Sequence, residues 1–407
     1  MAPSDGEEDL ISALPDDVLH HVLSFLPSDD AVRTSLLARR WLHLWKSARA
    51  IRVTPRPACT WPWTVSTLTN FMNHLLLLRV AGAAPLDECD FLAGQLHDDY
   101  DDRARLWIRH ALTICQALVL RVCLQARRRL CLDNAHLASQ RLTTVELTDA
   151  TFEDSDSCID FSRCPVLEDL TMSSCRIYAN RICSRSLSRL SIDGCAFHWT
   201  TRTRISTPRL ISLRLEVSCG RAPFLENMPL LAAANVRIDD GSRDSCYCIN
   251  EDGSGVYLEN LSSCDSCYGT DDGSSVLLEG LSGATDLELT SDPRVFILRK
   301  DCKSRTTFNK LKTLLLNEWC MAVDFGALVY FLRCAPVLEK LTLTICSLQT
   351  RHPVVKTDGP AEQLSLASKH LMLVEIKCRE QNELVKKLLM LLTSNGNPLE
   401  KIRVEQN

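Results

Sequence analysis

One apolar phrase recurs through the middle of this chain, a leucine followed after two variable residues by alternating apolar positions. Its copies are LTTVELTDATF at Leu142, LEDLTMSSCRI at Leu167, LSRLSIDGCAF at Leu187, LISLRLEVSC at Leu210, LKTLLLNEWC at Leu311 and LEKLTLTIC at Leu338. The first four start roughly 20–25 residues apart, the length of one supersecondary repeat, although the period is irregular. Alternation within each copy predicts a short strand whose apolar side chains point inward and whose intervening residues lie on the other face. A single copy cannot bury its apolar side, so successive copies must stack into a parallel array. LDECDFLA from Leu86 and ALVLRVCL from Ala117 add two strands around a predicted helix near Asp101 to Thr113, whose Ala104, Trp107, Ile108 and Ala111 share one face. We read these as irregular first coils of the same array.

The N-terminal stretch Leu10 to Trp45 has a different pattern. Pro15 suits a first helical position, and Asp16 and Asp17 follow where a helix N-terminus favours negative charge. Leu14, Val18, Leu19, Val22, Leu23 and Leu26 recur at helical spacing, with His20, His21 and Ser24 largely off the stripe. Pro27 closes this helix, and Ser28 can cap a second one beginning Asp29-Asp30-Ala31. A third carries Leu36, Leu37, Trp41, Leu44 and Trp45 beside Arg39-Arg40. So short a unit rarely stands without a metal, disulfide or partner, so it must dock. At the other end, HLMLVEIKCREQNELVKKLLMLLTSNGNPLEKIRVEQN predicts a strand over Leu373 to Ile376, a helix over Glu383 to Thr393, a stop at Gly396 and a strand over Ile402 to Val404.

Leu14-Pro15-Asp16-Asp17-Val18-Leu19, Leu23-Ser24-Phe25-Leu26-Pro27, Ala31-Val32-Arg33-Thr34-Ser35 and Arg40-Trp41-Leu42-His43-Leu44-Trp45 resemble an F-box without a gap. The middle resembles a degenerate leucine-rich-repeat array. Val374-Glu375-Ile376, Glu383-Leu384-Val385, Leu388-Leu389 and Leu399-Glu400-Lys401-Ile402 resemble the FBD module of plant F-box proteins with leucine-rich repeats. The resemblance implies an α/β chain. After a disordered N-terminus (1–9) come a three-helix F-box (10–49), a connection and first helical segment (50–85, with Pro55, Pro57 and Pro62 in the connection from Ala50 to Trp63), an irregular leucine-rich-repeat solenoid with a curved parallel sheet (86–369), and an FBD strand-helix-strand cap (370–407). In that family the position after each strand holds Asn or Cys, whose side chain bonds the buried turn backbone between coils. Cys175, Cys195 and Cys346 fall there, and Cys219 and Cys320 sit one residue later. Several cysteines are therefore expected to be buried, unreactive thiols.

The implied function is that of a non-catalytic adaptor of an SCF-type (Skp, cullin, F-box) ubiquitin ligase. The F-box would hold the Skp adaptor, and through it the cullin, while the repeats hold a protein target for ubiquitin transfer by proximity. The expected adaptor-binding or underlying core residues are Leu14, Pro15, Val18, Leu19, Val22, Leu23, Phe25, Leu26, Pro27, Val32, Leu36, Leu37, Trp41 and Trp45. Trp41→Ala is expected to weaken adaptor binding by ~2 kcal/mol or more. A target on the open face of the repeats would meet Asp169, Thr171, Ser173, Arg189, Ser191, Asp193, Ser212, Arg214, Glu216, Lys340, Thr342 and Thr344. That mixture of charges and hydroxyls suits a polar protein surface rather than a lipid. The alternatives are a ligase-independent repeat-binding protein and a metal-binding sensor built on the cysteine-rich insertion.

Composition narrows the classes. With 407 residues, 45% hydrophobic and 24% charged, the chain reads as a soluble globular protein of two or three domains. A net charge of -5 gives no general attraction to nucleic acid or to anionic membrane. MAPSDGEEDL lacks an apolar core for secretion, and Leu75 to Val80 is too short to span a bilayer, so a cytoplasmic or nuclear location is expected. There most of the 20 cysteines would stay reduced.

Residues Asp239 to Ser275 interrupt the repeats and read as a mobile surface insertion rich in Asp, Gly, Ser and Cys. Cys246, Cys248, Cys264 and Cys267 could supply four thiolates to zinc, but CxC is an uncommon half-site and no metal is expected. Cys248-Ile249-Asn250-Glu251-Asp252-Gly253 with Glu259 is a partial calcium loop whose first ligand position is a cysteine, with no flanking helices. Arg127-Arg128-Arg129 after Arg121 reads as a solvated turn, since no aromatic residues interleave with it. His20 and His21 have no third ligand at metal spacing. No GxSxG, HExxH, GxGxxG or P-loop occurs, and no cofactor or catalytic residue is assigned.

Overall fold

The computed structural model describes residues 11, 13–54, 65–79, 84–96, 101–126, 129–133, 137–152, 158–244, 275–321, 325–345, 370–379, 383–394 and 401–406. The chain divides into two compact units, residues 1–151 with 163–167, and residues 152–162 with 168–407.

In the first unit four parallel strands lie side by side: Ala50–Val53, Glu88–Leu96, Val119–Ala126 and Thr144–Thr148. Alternation drives them. Ile51, Val53, Cys89, Phe91, Leu120, Val122, Val145 and Leu147 are buried, and the residues between them face outward. Ala50–Val53 lies within the connection expected from its prolines, yet it pairs with Glu88–Leu96, because Ile51 and Val53 find an apolar side to cover. Helices Val65–Leu78 and Asp101–Thr113 pack together. The expected face of the second is buried through Ala104, Trp107, Ile108 and Ala111, and Trp107 Nε1 donates to Asn73 Oδ1 at 3.1 Å.

The outward side of this sheet carries a charge ladder. Arg52, Asp90, Arg121 and Glu146 stand in register on successive strands, so positive and negative side chains alternate across the four. Asp90, only 3% exposed, accepts from Arg52 Nη1 at 2.8 Å and from Arg121 Nη1 at 3.0 Å, and Arg121 Nε reaches Glu146 at 3.2 Å. Unpaired, a carboxylate so buried would cost several kcal/mol; two guanidinium groups offset that cost.

Among the described residues of the second unit, the main sheet runs in sequence order through Asp169–Ser173, Arg189–Phe197, Ser212–Cys219, Ala233–Ile238, Asp286–Ser291, Thr313–Asn317, Lys340–Ile345, Leu373–Cys378 and Ile402–Gln406, all paired in parallel. Their inward residues are buried, Leu170, Leu190 and Leu213 in one register row and Val236, Leu289, Leu316, Leu343 and Ile376 in the next. Ala233–Ile238 and Asp286–Ser291 extend the array beyond the recurring phrase. Ala234 stands where the neighbouring copy has Leu213, and Ala284 stands three residues before Leu287 where the other copies have their first leucine, which hides both from a leucine pattern. A second, narrower parallel sheet, Cys158–Asp160, Arg181–Cys183, Arg204–Ser206 and Phe224–Leu225, is formed by the returning segments. Gly220 makes this return possible: it has φ +83°, and a Cβ there would collide with the Phe197 carbonyl oxygen of the preceding coil. The C-terminal strand, the helix Glu383–Ser394 and the final strand fall where the sequence predicts them.

Side chains after the strands join the coils. Cys195, fully buried, donates its S–H to the Met172 carbonyl at 3.3 Å and accepts the Cys175 N–H at 3.3 Å. The contact with Cys175, together with burial, pushes its thiol far above the ordinary range, so it is inert at neutral pH. Asn317 closes a similar rung: its Oδ1 accepts the Ser291 N–H at 3.0 Å and its Nδ2 donates to the Ser291 carbonyl at 2.9 Å. Cys346 lies outside the described residues. Asn317→Ala should lower stability in a denaturant melt by about 1–2 kcal/mol, since both groups of Ser291 lose a partner.

Candidate functional site

The N-terminal residues build a small helical core with much apolar surface left over. Helix Asp16–Ser24 follows Pro15, whose φ of -58° and ψ of 150° place it just outside the first turn, with Asp16 and Asp17 inside. Helix Ser28–Arg33 follows Pro27 in the same way. The expected third helix is instead three 3₁₀ segments, Thr34–Leu36, Arg39–Leu42 and Leu44–Ser47. Extended backbone at Ala38, with φ -159° and ψ 164°, and the turn at His43 interrupt it. Trp41 and Leu44, one from each of the last two segments, are both buried. Ser28 does not cap a helix. Its hydroxyl accepts the Arg52 N–H at 2.9 Å, and Arg52 Nε donates to the Ser24 carbonyl at 2.8 Å. The arginine of the charge ladder therefore also clasps the end of the first helix.

This geometry sorts the fourteen expected residues. Leu19, Leu23 and Trp41 form the core with Ala31, Leu44 and Ala48, while Leu14, Leu26 and Trp45 pack against it half-buried. Pro27 and Val32 are also half-buried. Val18, Val22 and Phe25, four and three residues apart, form an exposed stripe on the other side of the first helix, beside exposed Pro15. The His21 ring meets Phe25 edge-on at 4.8 Å. Leu36 and Leu37 are the most open, at 86% and 70%, and Leu42, outside the expected set, is also exposed. Trp41, expected either to contact the adaptor or to lie in the core beneath it, is 6% exposed and packs in that core. Arg40 braces the arrangement, donating from Nη2 to Asp16 and to the Leu14 carbonyl, each at 2.6 Å. The cleft lined by Ser28, Ala31, Trp45, Leu75 and Arg79 has room for about one water molecule, too little for a ligand.

On the repeat face, Asp169, Arg189 and Ser212 share one register across three neighbouring strands, and Thr171, Ser191 and Arg214 share the next. Ser173 stands beside Asp193. Lys340, Thr342 and Thr344 lie on a strand separated from these by three others, and Thr342 is buried. Much of the charge is internally paired: Arg189 with Asp169, Arg214 Nε with Asp193 at 2.5 Å, and Lys340 with Glu375 at 3.0 Å. Asn235, Glu288, Glu375 and Lys377 occupy the same face through strands the sequence pattern left aside or did not include in it.

The other candidates are absorbed or lie elsewhere. Arg121 belongs to the charge ladder and Arg129 approaches Asp149 at 3.7 Å; Arg127 and Arg128 lie outside the described residues. So do Cys246, Cys248, Cys264, Cys267 and the partial calcium loop. The residues that flank this segment are firmly held. Asp244 takes Arg202 at 2.6 and 2.9 Å, and Asp301 accepts the Ser275 hydroxyl and the N–H groups of Val276, Leu277 and Leu278 at 2.6–3.1 Å. Among the described residues no group of three His, Cys, Asp or Glu side chains is placed to hold a metal, and no helix is long and apolar enough to cross a membrane.

Residues 11–51 match the F-box domain. The rice meiotic F-box protein MOF (Oryza sativa subsp. japonica) is 28% identical over 398 residues, 91% of this chain and 80% of that protein. An F-box/FBD/LRR-repeat protein of Arabidopsis thaliana is 27% identical over 259 residues, 56% of this chain and 60% of that one. An FBD-associated F-box protein of the same plant is 28% identical over 262 residues, 58% of this chain, and the match likewise spans only 60% of its length.

Proposed function

We propose, for a chain that is an F-box protein of the plant F-box/FBD/LRR-repeat kind, that it serves as the substrate-recognition adaptor of an SCF-type ubiquitin ligase. In this reading residues 10–49 dock on a Skp adaptor and through it on a cullin. The parallel array over 86–369 is a leucine-rich-repeat solenoid that holds a protein target, and 370–407 is an FBD cap. F-box proteins are in general non-catalytic adaptors, and this chain would act by holding target and ligase close together, in the cytosol or nucleus.

The observation that carries the reading is the exposed apolar set Val18, Val22, Phe25, Leu36, Leu37 and Leu42 on a unit whose core is already filled by Leu19, Leu23, Trp41 and Leu44. So many large apolar side chains in water on about forty residues mark a protein interface. The clasp of Arg52 on Ser24 and Ser28 supports it further, because an adaptor that positions a target needs its docking unit fixed to the strands that follow. Co-expression of the full chain with a Skp adaptor and a cullin tests it. Both partners are expected to co-purify. Recovery of the Skp adaptor without cullin would favour a ligase-independent role, and recovery of neither would refute docking.

A further inference from the structure

The narrow sheet of the second unit holds two thiols in direct contact. Cys158 begins its edge strand, Cys158–Asp160, and Cys183 ends the neighbouring strand, Arg181–Cys183. Cys158 stands opposite Arg181 and Cys183 opposite Asp160, so the two side chains reach toward each other along the diagonal. Their sulfurs are 3.1 Å apart, and Cys183 Sγ lies 3.5 Å from Asp160 Oδ1. Both cysteines are half-exposed, whereas Cys89, Cys164, Cys175, Cys195 and Cys320 are buried. Among the described strands Cys158–Asp160 is bonded to its sheet on one side only, so it can yield the small backbone shift that a disulfide bond requires.

We propose that Cys158 and Cys183 form a peroxide-responsive dithiol, in which Cys158 is oxidised by hydrogen peroxide and Cys183 resolves it to an intramolecular disulfide. The Cys158 thiolate sulfur attacks one peroxide oxygen. The O–O bond breaks, Cys158 becomes a sulfenic acid, and the departing hydroxide takes up the proton that the thiol released, giving water. The Cys183 sulfur then attacks the sulfenic sulfur. The S–O bond breaks, and the leaving hydroxide carries away the Cys183 proton as a second water. Two thiols and one peroxide become one disulfide and two waters, with the two-electron oxidation of sulfur matched by the two-electron reduction of peroxide.

The environment assigns the roles. Burial, the hydrogen bond to Cys158, the charge of that neighbour and the charge of Asp160 push the Cys183 thiol up to about 12. Cys183 therefore keeps its proton, with Asp160 Oδ1 3.5 Å away to accept it, which leaves Cys158 as the sulfur that attacks first. The product ties the first two strands of the narrow sheet together covalently, and it does so whether or not the F-box engages a ligase.

The test treats the full chain with hydrogen peroxide, traps sulfenic acid with dimedone, and maps the cysteines by mass spectrometry after differential alkylation. In the unaltered chain a Cys158–Cys183 linked peptide should appear before any other disulfide and disappear on adding dithiothreitol. Cys183→Ser should stall the reaction, giving a dimedone adduct on Cys158. Cys158→Ser should leave Cys183 unmodified under the same conditions. Oxidation of other thiols while this pair stays reduced would overturn the proposal, as would equal labelling of Cys183 in the Cys158→Ser chain. Far-ultraviolet circular dichroism confirms that both variants are folded before they are compared.

Discussion

Glutamates at Leu36 and Leu37 are expected to abolish capture of a Skp adaptor while leaving the chain as stable as before. Both side chains already stand in water, at 86% and 70% exposure, so the carboxylates lose no hydration in the free protein and a thermal melt should move little. Docking through these leucines would strip that hydration without offering the carboxylates a partner. Truncating central apolar anchors costs about 2–4 kcal/mol each, and burying a charge in their place costs more, so affinity should fall at least ~100-fold. Titration calorimetry against the adaptor, paired with a melting curve, reads both effects. Unchanged affinity would remove this edge from the interface, and Val22→Glu, at the middle of the helical stripe, then decides whether the remaining exposed row binds.

Trp41→Ala should also abolish binding, for the opposite reason. Trp41 is 6% exposed and packs with Leu19, Leu23, Ala31, Leu44 and Ala48, so the change leaves a large cavity in a core of few residues. Loss of a buried tryptophan costs about 3–5 kcal/mol, comparable with the whole stability of a small folded unit. The amides of Leu19 and Leu23 should lose protection from hydrogen exchange, while those of Arg189–Phe197, a strand of the second unit, keep theirs. A Trp41→Ala chain that retained this protection yet failed to bind would return Trp41 to the interface. The two substitutions share one binding phenotype and differ in folding, which separates contact from support.

Much of the architecture is legible because it is periodic. Leucine at alternate positions can only be satisfied by strands that share one interior, and the copies at Leu167, Leu187 and Leu210 become neighbouring strands in register. Helix Asp101–Thr113 and the C-terminal strand, helix and strand are likewise found where their apolar faces predict. Ala233–Ile238 and Asp286–Ser291 escape because alanine fills a leucine position, a substitution that costs volume but not strand geometry. The third N-terminal helix fails for a backbone reason: the extended residue Ala38 divides a helically spaced stretch into 3₁₀ turns.

The sequence by itself determined that Leu10 to Trp45 carry helically spaced apolar residues and that the repeated strands stack in parallel, because apolar spacing follows directly from residue order. Tertiary structure alone decided which of those apolar residues are core and which are surface, since one helix presents Leu19 and Leu23 inward and Val18 and Val22 outward from the same stripe of sequence. It alone brought Arg52 to Ser24, Ser28 and Asp90, and Cys158 to Cys183, because pairs 24 to 38 residues apart meet only when the elements that carry them have packed. Periodicity encodes which side of an element is apolar; packing settles what that side touches.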